Sequence, residues 1–422
     1  MSKIVIVIPP APGLFDQRSN VPLGPLYIAS VLEQEGHEVG LVSLLGHDIP
    51  ASWPEADLYA MGFTTPQLGV SKGILGLIRG QYPEAKVLAA GAHPTALPSE
   101  TLLAGFDSVL IGEAEATILQ VLSDLPDMQR IYYGVPCSDL DSIPFPARHL
   151  LPQEDVYNLS TAIQVDKASY VACITGSRGC PGRCAFCSNP RLPSRYRSAE
   201  NILSEMKEIY DIGITHFKFQ DDTFTMRPSH VIALGEAAGD VFDPGQISTR
   251  VITRVDTFSE KIVPALRQLG TEVVSFGIES GSQKVLDISN KGTSVERAEL
   301  ALALARDSGF KTWGFFLFGL PGECEQSVDE TIEFLRRNKS NLDYGILSIF
   351  VPYSGCDIEK HPEKYHVHII DRDWNRYWTV QKRAVLALPY DVSFTKMMDL
   401  REKTLNAFVE LGYARPEWEH DL

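Results

Sequence analysis

Gly179-Cys180-Pro181-Gly182-Arg183-Cys184-Ala185-Phe186-Cys187 carries three of the chain's seven cysteines in the spacing C-x3-C-x2-C. Three thiolates this close meet at one centre only if the backbone curls around it. Gly179, Pro181 and Gly182 make such a curl feasible. Zinc sites use paired C-x2-C knuckles and four ligands, and no second knuckle is present. A disulfide scheme would strand one thiol. An iron–sulfur cluster suits short-spaced thiolates, and since most clusters take four cysteines, three leave one iron open to chelate a small molecule. Cys137, Cys173, Cys324 and Cys356 are too scattered for a second cluster.

Working outward, the loop follows an expected strand over Tyr170 to Thr175, and strand and helix then alternate. Helices are expected over Ala199 to Tyr210, capped by Ser198, over Glu296 to Ser308, and over Ser327 to Arg337, opened by a Ser327–Glu330 capping box. Strands are expected at His216 to Phe219, Ile247 to Ile252, Val273 to Gly277, Lys311 to Phe318 and Leu347 to Val351. They end respectively at Asp221-Asp222, near Arg254, at Glu279-Ser280, at Gly319–Glu323 and at Pro352-Tyr353. Six β/α units imply a barrel or most of one, with its site at the C-terminal ends of the strands.

Upstream, Lys3 to Ile8 is an apolar, β-branched run fit for a strand buried on both faces. Further strands are expected at Glu38 to Leu44, Leu58 to Phe63, Val87 to Ala90 and Ser108 to Ile111, with helices between. This pattern implies a parallel, doubly wound sheet that binds ligands beyond its strand ends. The turns there, Pro9–Gly13, Thr64–Pro66, Gly91–Pro94 and Gly112-Glu113, are mostly small enough to let a flat ligand approach the backbone. Residues 1–125 therefore read as one doubly wound domain, 126–168 as a proline-rich linker, 169–358 as the barrel, and 359–422 as a small, mostly helical cap containing Trp374, Tyr377 and Trp378.

Composition fits a globular chain: 44% of the 422 residues are hydrophobic, and 38 basic against 54 acidic side chains give a net charge of −16. That charge repels phosphate backbones and disfavours nucleic acid as substrate. No apolar run reaches the roughly 18 residues of a membrane span. The first apolar stretch stops at Pro9-Pro10, too short for a signal-peptide core, so a cytoplasmic protein is expected.

Cys180, Cys184 and Cys187, with Phe186 before the last, resemble the signature of the radical S-adenosylmethionine (radical SAM) enzymes. Phe219–Phe224, Phe276–Gly281 and Phe318–Glu323 are similar to that superfamily's strand-end segments. Pro22–Tyr27 and Ile111–Glu115 resemble the N-terminal domain of its cobalamin-binding branch. The resemblance spans about residues 1 to 355. It implies a 4Fe–4S cluster on Cys180, Cys184 and Cys187 whose open iron chelates S-adenosylmethionine and cleaves it to methionine and a 5′-deoxyadenosyl radical, with electrons from a donor such as a flavodoxin or ferredoxin. Phe186 would lie near the adenine, which could approach the backbone at Gly319. Asp221 and Asp222 would lie near the methionine ammonium, and Glu279 and Ser280 near the ribose or the methionine end. Arg254 would pair with cofactor or substrate. Arg178 and Arg183 either offset the cluster's charge or are solvated.

For cobalamin the implied contacts are Thr64, Thr65, Gly91, Ala92, His93, Gly112 and Glu113. The D-x-H-x-x-G motif whose histidine ligates cobalt in many cobalamin proteins is absent. Either cobalamin binds without such a ligand or the domain is a relic. The implied activity is methylation of an unactivated carbon of a small-molecule substrate. Its alternatives are radical cyclisation, ring contraction or oxidation without net methyl transfer, or a non-catalytic corrinoid or redox sensor.

Overall fold

Both faces of the first strand are apolar, and the structure, a computed structural model, covers both. It describes residues 1–14, 17–18, 21–159, 170–189, 192–378 and 385–413. Residues 160–168 of the expected linker and 379–384 and 414–422 of the expected cap lie outside the described residues. The chain divides into two units: Met1–Ala168 with Asp373–Tyr377, and Ser169–Arg372 with Trp378–Leu422.

In the first unit, β1 (Lys3–Ile8), β2 (Glu38–Ser43), β3 (Leu58–Gly62), β4 (Val87–Ala90), β5 (Ser108–Ile111) and β6 (Ile131–Tyr133) form one parallel sheet in the order β2-β1-β3-β4-β5-β6. Strand alternation sends Val5 and Val7 to one core, with Leu75 and Ile78 of α2 (Leu68–Gln81). It sends Ile4 and Ile6 to the other, with Ala29 and Leu32 of α1 (Leu23–Gln34) and Val121 of α3 (Ile118–Ser123). The chain passes from β2 to β3 on opposite sides of β1, which makes the ends of β1 and β3 the switch point where such sheets take ligands.

Two features differ from the sequence reading. The stretch read as a linker supplies β6, a strand too short to show a period between Pro126 and Pro136; Tyr132 fixes it by entering the core. Trp374 and Tyr377, read as part of the cap, belong with the first unit. Trp374 Nε1 donates to Glu100 Oε1 at 2.8 Å, and its ring meets Tyr377 edge-on at 4.7 Å.

The second unit holds six strands of a seven-stranded sheet: β7 (Tyr170–Ile174), β8 (His216–Phe219), β9 (Ser248–Arg254), β10 (Thr271–Glu279), β11 (Lys311–Phe318) and β12 (Tyr344–Ile349). Each is parallel to the next, which gives the expected partial barrel. On β11, Phe316 and Phe318 are buried while Phe315 and Leu317 are half-exposed. Phe316 packs edge-on against Phe334 at 6.1 Å and Phe408 at 5.4 Å, so the even positions face the helices and the odd ones the concave face.

Ser198 caps the helix Ala199–Asp211 as expected, accepting from Asn201 N at 3.1 Å. The helix expected from Ser327 instead spans Glu325–Arg337, with Cys324 as N-cap. Ser327 is drawn inward: its hydroxyl donates to Glu323 and accepts from Cys324 N at 2.8 Å. Among the described residues, no helix is long and apolar enough to cross a membrane.

Candidate functional site

The cysteine loop is held by its backbone, which leaves its sulfurs to other work. Gly179 has φ +90, and a Cβ there would lie 2.8 Å from Pro193 O, so only glycine fits. Its N–H donates to Asp222 at 3.1 Å. A strap over Ser289, Asn290 and Lys291 grips the loop's middle. Ala185 N donates to Ser289 O at 2.8 Å, and Asn290 Nδ2 donates to Arg183 O at 2.8 Å.

The strap is tied in turn to the strand ends. Arg254, at the end of β9, donates from Nη2 to Lys291 O at 2.8 Å and from Nε and Nη2 to Asp256 at 2.9 Å each. Its Nη1 reaches Cys184 Sγ at 3.5 Å. Arg254 is thus the cation set against a cysteine sulfur, while Arg183 is exposed. Desolvation raises the Cys187 thiol above its usual range against a hydrogen bond from Asn189 N, and the proximity of Cys184, Asp222 and Cys180 adds to the rise.

Among the described residues, no three His, Cys, Asp or Glu side chains are drawn together as around a single metal ion. The fit to an iron–sulfur cluster therefore rests on donor chemistry. Three thiols lie on one curled loop, three backbone links fix that loop, and a guanidinium beside it offsets negative charge.

Several strand-end residues do structural work. Asp221 is buried and accepts from Ser177 Oγ at 2.5 Å and Gly176 N at 3.0 Å. Burial pushes its carboxyl up to about 6 against these hydrogen bonds. It pins the end of β7 and does not face the mouth, whereas its neighbour Asp222 is exposed there. Glu279, a non-glycine at φ +71, pairs with buried Lys291 at 2.6 Å. This ion pair holds a conformation that costs about 1–2 kcal/mol. The ammonium lies 5.7 Å from the Phe186 ring, which brings Phe186, Glu279 and Lys291 together.

The left-handed turn at Glu279 sends Ser280 under the sheet to Thr331, 3.3 Å away, away from the expected ligand. Gly319 has φ +89, and its N–H donates to buried Glu323 at 3.2 Å. Burial pushes Glu323 up to about 7, against the Ser327 and Gly319 hydrogen bonds. Cys356 is fully buried with its thiol raised to about 12 by burial, so it is packing.

In the first unit, Thr64, Gly91, Ala92 and Gly112 lie exposed at the ends of adjacent strands, with half-buried Glu113 beside them. Gly91 has φ +98, and a Cβ there would lie 2.9 Å from Phe63 N and O. These small residues leave open backbone at the sheet edge, the form a broad, flat cofactor requires. Thr65 and His93 do not join them. Thr65 is buried. His93 is fully buried, stacked on Phe63 at 5.9 Å and edge-on to Trp374 at 6.2 Å. The tight turn after Gly91 aims it inward, and burial lowers its ring below the usual histidine range.

Sequence reasoning missed Gln67 at the switch point. Its Nε2 donates to Pro9 O at 3.1 Å and Pro10 O at 3.2 Å, while Oε1 accepts from Thr64 N at 3.0 Å. It missed Lys291 as well. Capping-box spacing, Thr64 with Gln67 three residues on, was the signal for the first; for the second there was none.

Residues 174–335 match the model of the radical SAM superfamily, and residues 19–122 match the B12 binding domain. An uncharacterized methyltransferase of Pyrococcus horikoshii is 27% identical over 90% of this chain and 86% of its own. The cytidylyl-2-hydroxyethylphosphonate methyltransferase of Streptomyces wedmorensis is 26% identical over 91% of this chain and 86% of its own. In fold, the chain matches the radical S-adenosylmethionine methyltransferase TsrM of Kitasatospora setae, solved with cobalamin and a 4Fe–4S cluster, at TM-score 0.72 and 15% identity, covering 100% of this chain and 90% of that one.

Proposed function

Because the chain belongs to the cobalamin-binding branch of the radical SAM superfamily, we propose that it methylates an unactivated carbon of a small-molecule substrate. The observation that carries the reading is the cysteine loop: three thiols at the mouth of a parallel half-barrel, gripped by the 289–291 strap and faced by Arg254.

Cys180, Cys184 and Cys187 would hold the 4Fe–4S cluster, the barrel mouth S-adenosylmethionine, and the edge at Thr64, Gly91, Ala92, Gly112 and Glu113 cobalamin. When bound, the cluster supplies single electrons to the sulfonium and cobalamin carries the methyl group. The chain's own residues bind and orient. Arg254 offsets thiolate charge. Asp222 offers an exposed carboxylate to an ammonium. Phe186 gives a flat apolar face beside the Lys291–Glu279 pair. Glu323 fixes the Gly319 turn so that its backbone stays open to a ring. Electrons would come from a flavodoxin or ferredoxin.

Anaerobic reconstitution with iron, sulfide and cobalamin tests this reading. Both an iron–sulfur and a corrinoid spectrum are expected, with methionine released once S-adenosylmethionine and a reductant are added, and a substrate converted to a product heavier by one methyl group. Failure to take up cobalamin while the cluster loads would remove the methyl carrier, and a product without an added methyl group would replace methylation by cyclisation, ring contraction or oxidation.

A further inference from the structure

The concave face of the barrel holds a buried guanidinium, that of Arg250, that the reading above does not use, with Lys218 beside it. Lys218 on β8 is paired in register with Arg250 on β9, and Ser275 on β10 with Trp313 on β11. Arg250 is 6% exposed. Its Nε donates to Ser275 Oγ at 3.1 Å, and its guanidinium carbon lies 4.0 Å from the centre of the Trp313 ring. Among the described residues no carboxylate pairs with Arg250.

Burying a guanidinium without a counter-charge costs several kcal/mol, and it cannot escape by losing its proton. A second cation is close: burial pushes Lys218 down to about 8, Cys173 opposing and the Arg250 charge adding to the effect. Trp313, itself 6% exposed, has an indole N–H with no hydrogen-bond partner. Tyr344 tilts against its ring at 5.1 Å. Further along the same face Ile252, Phe315 and Ile346 are only half-buried, so the face opens toward the strand ends where the cysteine loop lies.

A barrel wall built only for packing gains nothing from a buried guanidinium set against a serine hydroxyl and a ring, beside an orphaned indole N–H. A methionine at 250 would pack without the desolvation cost. We infer that the lumen receives the anionic group of the substrate, a carboxylate or a phosphate, on Arg250 and Lys218, with the Trp313 indole as a further donor and the Trp313–Tyr344 rings as a flat wall beside it. The inference names the substrate class for the function proposed above and rests on that reading's use of the barrel as reaction chamber.

Its test needs no turnover, so the two fail separately. The full chain, purified anaerobically, is titrated with phenylacetate, phenyl phosphate and neutral phenylacetamide, and binding is read by calorimetry and by tryptophan fluorescence. At least one anion is expected to bind tenfold or more tightly than the amide, and which one identifies the group. Arg250→Gln is expected to erase that preference, Lys218→Met to reduce it at least threefold, and Arg250→Lys to keep part of it. Equal binding of anions and amide by the unaltered chain overturns the inference. So does a preference that survives both Arg250→Gln and Lys218→Met. Should Arg250→Gln fail to fold, Lys218→Met decides alone, an unchanged preference being the overturning result. Methionine release by the unaltered chain is a separate measurement and bears on the methylation reading alone.

Discussion

The edge of the first sheet and the mouth of the barrel are both the C-terminal ends of parallel strands, yet they are made of different matter. At the first, the exposed positions are Thr64, Gly91, Ala92 and Gly112, and the residue that locks them, Gln67, is neutral. At the second, ionisable side chains gather: Asp222 is exposed at the opening, Arg254, Lys291 and Glu279 brace the cysteine loop, and Asp221 and Glu323 are buried behind it. The first edge suits recognition by shape, the second by charge. Chemistry-bearing side chains belong where electrons and charged groups meet; open backbone suffices where a large cofactor need only be seated.

The sharpest way to break this comparison is to empty one site and read the other. Replacing Cys180, Cys184 and Cys187 together with alanine should abolish iron binding while corrinoid uptake persists at the stoichiometry of the unaltered chain; iron analysis and the visible spectrum read both. Loss of cobalamin along with iron would mean that the sites do not load independently.

The reverse experiment acts on shape. Gly91→Ala places a Cβ 2.9 Å from Phe63 N and O at φ +98, a combined strain of about 3 kcal/mol. For a unit of this size that is a fall in Tm of roughly 6–10 °C, with cobalamin uptake lost and iron retained. Gly62→Ala, one strand over with nothing within 4 Å of its Cβ, should leave Tm within about 1 °C, within the scatter of surface substitutions. Equal effects of the two would mean that the edge is not shaped by glycine at all.

The same contrast governs what could be read in advance. Apolar strands separated by helices fix two parallel sheets, because burial on both faces leaves little else for such runs to do. The cysteine loop was legible because thiols at that spacing have few other uses. Residues were misplaced where a local backbone feature turned them. The left-handed Glu279 carries Ser280 beneath the sheet, the turn after Gly91 buries His93, and Asp221 serves Gly176 and Ser177 while its neighbour faces out. Lys291 was invisible because its role comes from tertiary contact with Glu279, Arg254 and Phe186, distant in sequence. Arg250 was half-legible: Arg250, Ile252 and Arg254 share one face by strand period alone.

A subtler contrast concerns acids used as struts. Burial pushes the Glu323 carboxyl up to about 7 in the folded chain against 4.5 for an ordinary glutamate, so folding favours its neutral form. The stability this contributes is complete below about pH 4.5 and drains away as pH rises through about 7, because the unfolded chain releases its proton first. At 1.36 kcal/mol per pH unit the upper bound is roughly 3 kcal/mol. Denaturant unfolding from pH 5 to 8 should show that decline, and Glu323→Gln, which stays neutral, should flatten it. An unchanged slope in the variant would assign the decline to other groups, Asp221 first, since burial raises it in the same sense.

The smallest effect separates charge from architecture within the barrel mouth. Arg254 does two things at once: it ties the 289–291 strap through Lys291 O and sets a cation 3.5 Å from Cys184 Sγ. Arg254→Met removes both, and Arg254→Lys keeps the charge while losing the fork that grips Asp256. If charge at the sulfur is what matters, the methionine variant should load iron normally yet release methionine about tenfold more slowly, a loss of roughly 1.4 kcal/mol typical of residues supporting a metal ligand, and the lysine variant should recover most of that rate. If the strap is what matters, both variants should lose iron in step with rate, because the loop that Ser289 and Asn290 hold would no longer be anchored to β9. Only the first outcome keeps the distinction drawn here between a site that acts by charge and one that acts by shape.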